Sequence, residues 1–228
     1  MSSNSTILKL RNISKSYNQG DQQRIVLDDT CLDIYEGEII AIIGRSGSGK
    51  STLLNMMSGI DQPDKGDICV PQQIINQLSE YERTLYRREN MGFVFQFFNL
   101  IPTLTIRENI LLPLELNKSL NKDSIGYVDT LLSSVGLSDR FHHYPDQLSG
   151  GEQQRIAILR AIAHKPKLVF ADEPTGNLDA ETGTEVLQIL QNIVQEFNTT
   201  LVMVTHSQDV AIIADRTFNM QHGKLIEL

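Results

Sequence analysis

Tryptophan is absent from this chain of 228 residues, and cysteine occurs only twice, at Cys31 and Cys69. Two isolated thiols exclude a disulfide framework and a zinc site built on cysteine pairs. Both lie in strand-like surroundings, so buried reduced thiols are expected. No stretch approaches the roughly 18 consecutive apolar residues that cross a bilayer. The first ten residues have neither the charged start nor the apolar centre of a secretory leader, so a cytosolic chain is expected. Positive charge is scarce as well: 20 Lys and Arg stand against 28 Asp and Glu, for a net charge of −8. Binding a phosphate backbone needs a concentrated basic surface, which argues against nucleic acid as a partner. The nearest thing to a basic cluster is Arg83, Arg87 and Arg88. It sits on a helix opened by Ser79 with Glu82 three residues on, a capping-box pattern, and reads as a solvated face. The adjacent His142 and His143 have no ligand partner at useful spacing and read as surface residues.

What is present begins with an ordinary globular balance, 40% hydrophobic and 21% charged. That length and balance suit one large α/β domain, or a core with a smaller helical lobe. The most informative stretch follows the buried-strand run Ile39, Ile40, Ala41, Ile42, Ile43. It reads Gly44, Arg45, Ser46, Gly47, Ser48, Gly49, Lys50, Ser51, Thr52, and leads into Leu53, Leu54, Met56 and Met57 at helical spacing. Strand, glycine-rich loop and helix in that order form a phosphate loop, whose backbone N–H groups turn inward to ring a polyphosphate. Lys50 neutralises β- and γ-phosphates in this reading, and Ser51 offers a hydroxyl to Mg²⁺.

Around this loop the chain alternates strand and helix. Ile7, Leu8 and Leu10, then Ile25, Leu27, Leu32 and Ile34, predict two half-buried strands separated by a turn at Gly20 and Asp21. Tyr17, just before that turn, is either a packed edge residue or a ring for stacking a base; on local grounds the packed residue is favoured. Pro63, Asp64, Lys65 and Gly66 form a dense turn signal ahead of a short strand over 67–70. A strand over 91–95 ends at Gln96, whose amide is either a surface group or a ligand for a metal or water. Residues 97–116 are unusually apolar for a connecting segment. A helix over 125–137, ending at Gly136, marks a helical lobe.

Leu148, Ser149, Gly150, Gly151, Glu152, Gln153, Gln154 and Arg155 open another helix. Serine and two glycines at a helix start make a second anion site. The run Leu168, Val169, Phe170, Ala171 reads as a buried strand delivering Asp172 and Glu173 to the carboxyl edge of a sheet, where α/β folds bind ligands. Asp172 suits Mg²⁺, and Glu173 suits the deprotonation of an attacking water. Asp179 reads as the cap of the next helix. A last strand over 201–205 delivers His206 to the same crevice, where it can bond a γ-phosphate. A short helix from Asp209 to Ala214 and a closing hairpin around Gly223 complete the pattern.

These pieces together resemble the nucleotide-binding domain of ATP-binding cassette (ABC) transporters over essentially the whole chain. The resemblance implies a Walker A loop at 44–52, a Q-loop at Gln96, a signature motif at 148–155, and Walker B at 168–173 with Glu173 as catalytic glutamate. It also implies a D-loop at 176–179, a switch histidine at His206, and a base-stacking role for Tyr17. Gln96 becomes a ligand of Mg²⁺ and water beside Ser51 and Asp172.

The implied fold is an α/β P-loop NTPase core with a mainly parallel sheet, an antiparallel β-subdomain and an inserted α-helical subdomain. Residues 1–95 and 164–228 form the core, and 96–163 the Q-loop and helical part. ATP and Mg²⁺ are the implied ligands. The implied partners are a second copy, set head to tail so that Ser149, Gly150 and Gly151 of one chain close over ATP held by the other, and a separate transmembrane permease. That places the chain on the inner face of the cell membrane, with Phe97, Phe98, Leu100 and Ile101 as the docking segment.

The motifs around Gln96 and over 172–179 look most like the branch serving lipoprotein release, macrolide efflux and peptide-antibiotic resistance. Val70, Pro71, Gln72 and Gln73 depart from the usual Asp-Gly hairpin, which puts that sheet edge in doubt. The rival readings are a cytosolic or cell-division ABC ATPase and a non-hydrolysing nucleotide-gated subunit.

Overall fold

The computed structural model describes residues 5–20, 22–207 and 212–228. The helix expected from Asp209 begins on residues outside that set. In chain order the elements are β1 (Thr6–Gln19), β2 (Gln22–Tyr35), β3 (Ile39–Ile43), α1 (Lys50–Met57), β4 (Lys65–Val70), β5 (Gln73–Ile74), α2 (Glu80–Asn90) and β6 (Met91–Phe95). There follow α3 (Ile106–Leu116), α4 (Lys122–Ser134), α5 (Gly150–Ile162), β7 (Leu168–Asp172), α6 (Ala180–Phe197), β8 (Thr200–Thr205), β9 (Arg216–Gln221) and β10 (Lys224–Glu227). They group into two compact units, Met1–Arg87 with Thr200–Leu228, and Arg88–Thr199.

In the first unit β3 lies between β8 and β9 and runs parallel to both. Ile40, Ala41 and Ile42 are fully buried, as a strand covered on both faces requires. Ile43 pairs with Thr205, so Gly44 and His206 leave neighbouring strands at the same level. The expected closing hairpin forms, with β10 antiparallel to β9 and Gly223 at φ 76 in its turn.

The same unit holds an antiparallel sheet in the order β2-β1-β4-β5. Its longest pair is not a simple alternation. Register shifts break β1 against β2, and Asn12 and Asp29 take φ 52 and φ 50. An extra residue in one strand moves later side chains to the other face. Leu27 and Leu32 are therefore both buried despite opposite parity, while Ile25, expected with them, is 65% exposed. Cys31 is exposed too, because Thr30 and Leu32 take the inward positions, and Cys69 is only half-buried. The buried thiols expected from the sequence are thus not found. Around Pro71 the hairpin survives: Val70 pairs with Gln73, and the proline occupies the turn, where no ladder donor is needed.

Arg83 also departs from expectation. The Ser79–Glu82 capping box forms as read, but Arg83 is only 6% exposed. Its guanidinium donates to the Leu78 carbonyl at 3.0 Å and pairs with Glu80, and Arg87 donates to the Gly59 carbonyl. These cations cap backbone carbonyls at the ends of preceding segments, a use that charge pattern alone does not signal.

In the second unit β6 and β7 run parallel, from Met91 opposite Leu168 to Phe95 opposite Asp172. Half of the apolar segment 97–116 is helix rather than connection. Thr105 and Glu108 form a capping box, and Ile106, Ile110, Leu111 and Leu114 of α3 are buried. α4 starts earlier than expected, at an Asn121 cap, and buries Val128, Leu131 and Leu132. Asp179 caps α6 by accepting from the Thr182 amide at 3.0 Å, as the sequence implied.

Candidate functional site

The loop between β3 and α1 is built so that only glycine fits at two of its corners. A Cβ on Gly44 would stand 2.8 Å from Ser48 Oγ and 3.0 Å from the Met220 carbonyl. Gly49 has φ 105, and a Cβ there would lie 2.7 Å from Val26. Gly49 is also the N-cap of α1 and makes no side-chain cap, and the first turn has no acidic residue, so the positive end of this helix is not neutralised locally.

Lys50 is 7% exposed and folds back into the loop, its ammonium donating to the carbonyls of Gly44 at 2.8 Å and Arg45 at 3.2 Å. Ser48 Oγ is buried without a hydrogen-bond partner. A glycine-walled concavity with an orphaned hydroxyl, an enclosed ammonium and an open helix start fits a polyphosphate. From outside, Arg24 of β2 donates to the Gly47 carbonyl at 2.8 Å and braces the tip. A cavity of about 1040 Å³ opens here, lined by Arg24, Val26, Gly44, Ser48, His206 and Gly223 among others. His206 is exposed at the end of β8 and shares this cavity with the loop.

Tyr17 is 42% exposed, its hydroxyl donates to Asp61 at 2.8 Å, and the Lys15 ammonium lies over its ring at 5.3 Å. Burial, then the bond to Asp61, raises its pKa above the ordinary phenol value, so it stays protonated. The packed and functional readings therefore meet in one residue, its hydroxyl tied down and its ring available.

The second unit carries the remaining candidates. Because Phe95 and Asp172 are paired, Gln96 and Glu173 leave adjacent parallel strands side by side. Glu173 has φ 49, a left-handed conformation for a non-glycine residue that also precedes proline. Strain of that kind persists only where the surroundings hold it, and the next turn is held firmly. The Gly176 amide donates to the Glu173 carbonyl at 3.0 Å, and the wholly buried Gln154 donates to the Pro174 carbonyl at 2.6 Å.

Gln96 and Asn177 bond to each other, and Gly176 lies close beneath: a Cβ there would be 3.0 Å from Gln96 Nε2. Ser149 caps α5 in a capping box with Glu152, with Gly150 and Gly151 in the first turn. Hydrogen bonds from Ser149, its backbone amide first, hold the Glu152 carboxyl below its usual range. A side chain on Gly151 would collide with Thr182, so part of the demand for glycine here is packing. Further along α5, Arg160 donates to the carbonyls of Asn99 and Phe98 at 2.6 and 2.9 Å, pinning the turn after Gln96. Phe97, in the same turn, is 72% exposed.

Each unit thus gathers its own share of the candidates. The first holds Tyr17, the loop from Gly44 to Thr52 and His206, and the second holds Gln96, Ser149, Gly150, Gly151, Asp172 and Glu173. Ser51, Gln96 and Asp172 offer a hydroxyl, an amide and a carboxylate, all hard oxygen donors of the type Mg²⁺ accepts. Sequence reasoning did not single out Asp61 or Arg24, and it placed Asn177 and Gln154 in motifs without foreseeing the contacts they make. Each acts through a partner at least 20 residues away.

Among families, the description "ABC transporter" matches residues 27–176. An uncharacterized ABC transporter ATP-binding protein of Mycobacterium tuberculosis (strain ATCC 25618 / H37Rv) is 50% identical over 96% of this chain and 89% of its own. The lipoprotein-releasing system ATP-binding protein LolD of Rickettsia bellii is 44% identical over 96% and 97%. Among solved structures, the ATP-binding cassette MJ0796, in a dimeric post-hydrolysis state bound to ADP and Pi, matches with TM-score 0.87 and 38% identity over 97% of this chain and 98% of that one. No helix among the described residues is long and apolar enough to cross a membrane. Motifs, fold and relatives agree: the chain belongs to the ABC transporter family, as an ATP-binding and ATP-hydrolysing subunit.

Proposed function

We propose that two copies of this chain close head to tail around two ATP molecules and drive a separate transmembrane permease from the cytoplasmic face of the membrane. The observation that carries the reading is the loop from Gly44 to Thr52, with glycine-only corners and an enclosed Lys50. In this reading Gly44, Arg45, Ser46, Gly47, Ser48, Gly49 and Thr52 cradle the phosphates, Lys50 neutralises them, and Tyr17 stacks the base. Ser51, Gln96 and Asp172 hold Mg²⁺, which when bound offsets charge on the phosphate oxygens. Glu173 accepts the proton of the attacking water, and His206 bonds the terminal phosphate and registers its loss. Ser149, Gly150 and Gly151 present the capped start of α5 to the nucleotide of the other copy. No single chain then has a complete site, and loss of phosphate reopens the pair.

Residues 1–95 and 164–228 act as the nucleotide-binding core, with 96–163 as the helical part that meets the permease through the exposed Phe97. Relatives named for lipoprotein release, at 41–44% identity, support a hydrophobic or peptide/lipoprotein cargo and export or mechanical coupling. The test is to trap Glu173→Gln with ATP and Mg²⁺ in its native cell and identify the membrane protein that co-purifies. A permease with a large extracytoplasmic domain supports this branch. A compact permease with a solute-binding protein makes the system an importer, and no membrane partner removes the transport reading.

A further inference from the structure

The loop that follows α1 is tied to the end of β1 at several points. Asp64 accepts from the Ser16 amide at 2.7 Å and the Ser16 hydroxyl at 2.8 Å, and its own amide donates to the Ser14 carbonyl. Lys15, whose side chain is only 12% exposed, donates to Asp61 at 3.1 Å and to the Gln62 carbonyl at 2.6 Å. Its ammonium also lies 3.8 Å from Asp64 and 5.3 Å from the centre of the Tyr17 ring. The Tyr17 hydroxyl closes the set by donating to the other oxygen of Asp61. At its far end this loop is continuous with α1, because the amides of Ile60 and Asp61 both bond to the Asn55 carbonyl. The register shifts of β1 between Ile13 and Ser16 turn Lys15, Ser16 and Tyr17 toward it.

A stacking ring is useful in proportion to how little freedom it loses on binding. Tyr17 is exposed near a strand end, where an unanchored ring samples several rotamers. Here one carboxylate oxygen of Asp61 holds the phenol and the other is held by Lys15, and the whole loop hangs from the helix that starts at the phosphate loop. We infer that Asp61, braced by Lys15, is a positioning residue that fixes Tyr17 as a preorganised platform for the nucleobase and sets its distance from the phosphate loop through α1. The inference rests on the base-stacking role proposed for Tyr17, which it deepens. Asp61 touches no nucleotide in this account; it acts through the ring. The Asp61 bond uses only the hydroxyl, and the Lys15 ammonium lies over the ring at 5.3 Å, so the platform offered to a purine is the remaining ring surface, and the device contributes affinity for a base rather than choice among purines.

The experiment separates base from phosphate by comparing two ligands, ATP and inorganic tripolyphosphate, by titration calorimetry on the intact protein. Tyr17→Phe keeps the ring and removes the anchor, while Asp61→Ala removes the acceptor. Each is expected to weaken ATP about tenfold, the worth of one charge-assisted hydrogen bond, and to leave tripolyphosphate unchanged. The double variant is expected to be no weaker than either single one, since both break the same contact. Tyr17→Ala is the control for the platform itself. If Tyr17→Ala weakens ATP while Tyr17→Phe and Asp61→Ala bind it normally, the ring stacks but Asp61 does not position it, and the inference is overturned. If Tyr17→Ala binds ATP normally, the stacking role falls and the inference with it. Equal losses for ATP and tripolyphosphate in Asp61→Ala mean that the carboxylate only supports α1, which also overturns it. Tyr17→Phe guards against misfolding, because it leaves the Lys15–Asp61 pair in place.

Discussion

Gln96 and Asn177 hold each other through two hydrogen bonds, Gln96 Nε2 donating to Asn177 Oδ1 at 3.1 Å and Asn177 Nδ2 to the Gln96 carbonyl at 2.9 Å. The arrangement spends the amide nitrogen of Gln96 on Asn177 and leaves its oxygen as the group to offer a cation. Asn177 thereby fixes which way the Gln96 amide faces.

Asn177→Ala is therefore expected to lower kcat by about three- to tenfold through loss of that orientation, with KM for ATP little changed. Combined with Gln96→Ala it should add nothing further, a non-additivity that a double-mutant cycle measures. A fully additive pair would separate the two residues functionally.

Gly151 tests packing against chemistry at the start of α5. Gly151→Ala drives a methyl into Thr182, and overpacking of this kind costs about 1–3 kcal/mol. Thr182→Ser removes the methyl it meets, so the Gly151→Ala/Thr182→Ser pair should recover most of the lost Tm. ATP-dependent dimerisation should stay impaired in the pair if the helix start must approach a phosphate. Recovery of both would reduce Gly151 to a packing requirement.

The acid limit of stability follows from the carboxylates. Asp64 lies below its ordinary 3.8, held first by the Ser16 hydroxyl. Burial pushes Asp61 upward, but the bonds from Tyr17, Gln62 and Lys15 outweigh it and leave it below 3.8 as well. The capping carboxylates Glu82, Glu108 and Asp179 are shifted the same way by their Ser and Thr partners. Depressed carboxylates stabilise the fold fully above their unfolded values and lose that contribution as pH falls through the lower folded ones. Tm should fall as the pH drops below about 4, and Asp64→Asn should show a shallower fall than the unsubstituted protein. An unchanged acid limb in Asp64→Asn would mean that this carboxylate contributes nothing.

Arg160 tests what holds the turn after Gln96. Arg160→Met leaves the carbonyls of Phe98 and Asn99 without their donor, at a cost of about 1–3 kcal/mol. Amide exchange at residues 97–104 should quicken in hydrogen-exchange measurements, while β6 and β7 stay protected. Uniform quickening across the unit would instead show Arg160 to be a general support.

What could be read in advance depended on how local the signal is. The strand, loop and helix around Gly44, the Asp179 cap and the strand ending at Asp172 are written in neighbouring residues, and they form as expected. The Tyr17–Asp61 and Gln96–Asn177 bonds span 44 and 81 residues, and no periodicity reports such a pair. Arg83 is buried because backbone carbonyls around it need donors, which the charge pattern hid. The bulges in β1 and β2 shift parity without any glycine or proline to mark them, so Ile25 and Cys31 lie on the face opposite to the one simple alternation predicts. In α3, Thr105 and Glu108 did carry a readable start, but the long apolar run around them obscured it.

A composite ATPase site with Glu173 as its base makes turnover and dimerisation separable. The direct measurement is the mass in solution and the phosphate release of Glu173→Gln, each with ATP and Mg²⁺. The expected result is a stable ATP-dependent dimer with turnover lowered by about two orders of magnitude or more. A monomer that hydrolyses ATP at the unsubstituted rate would contradict it.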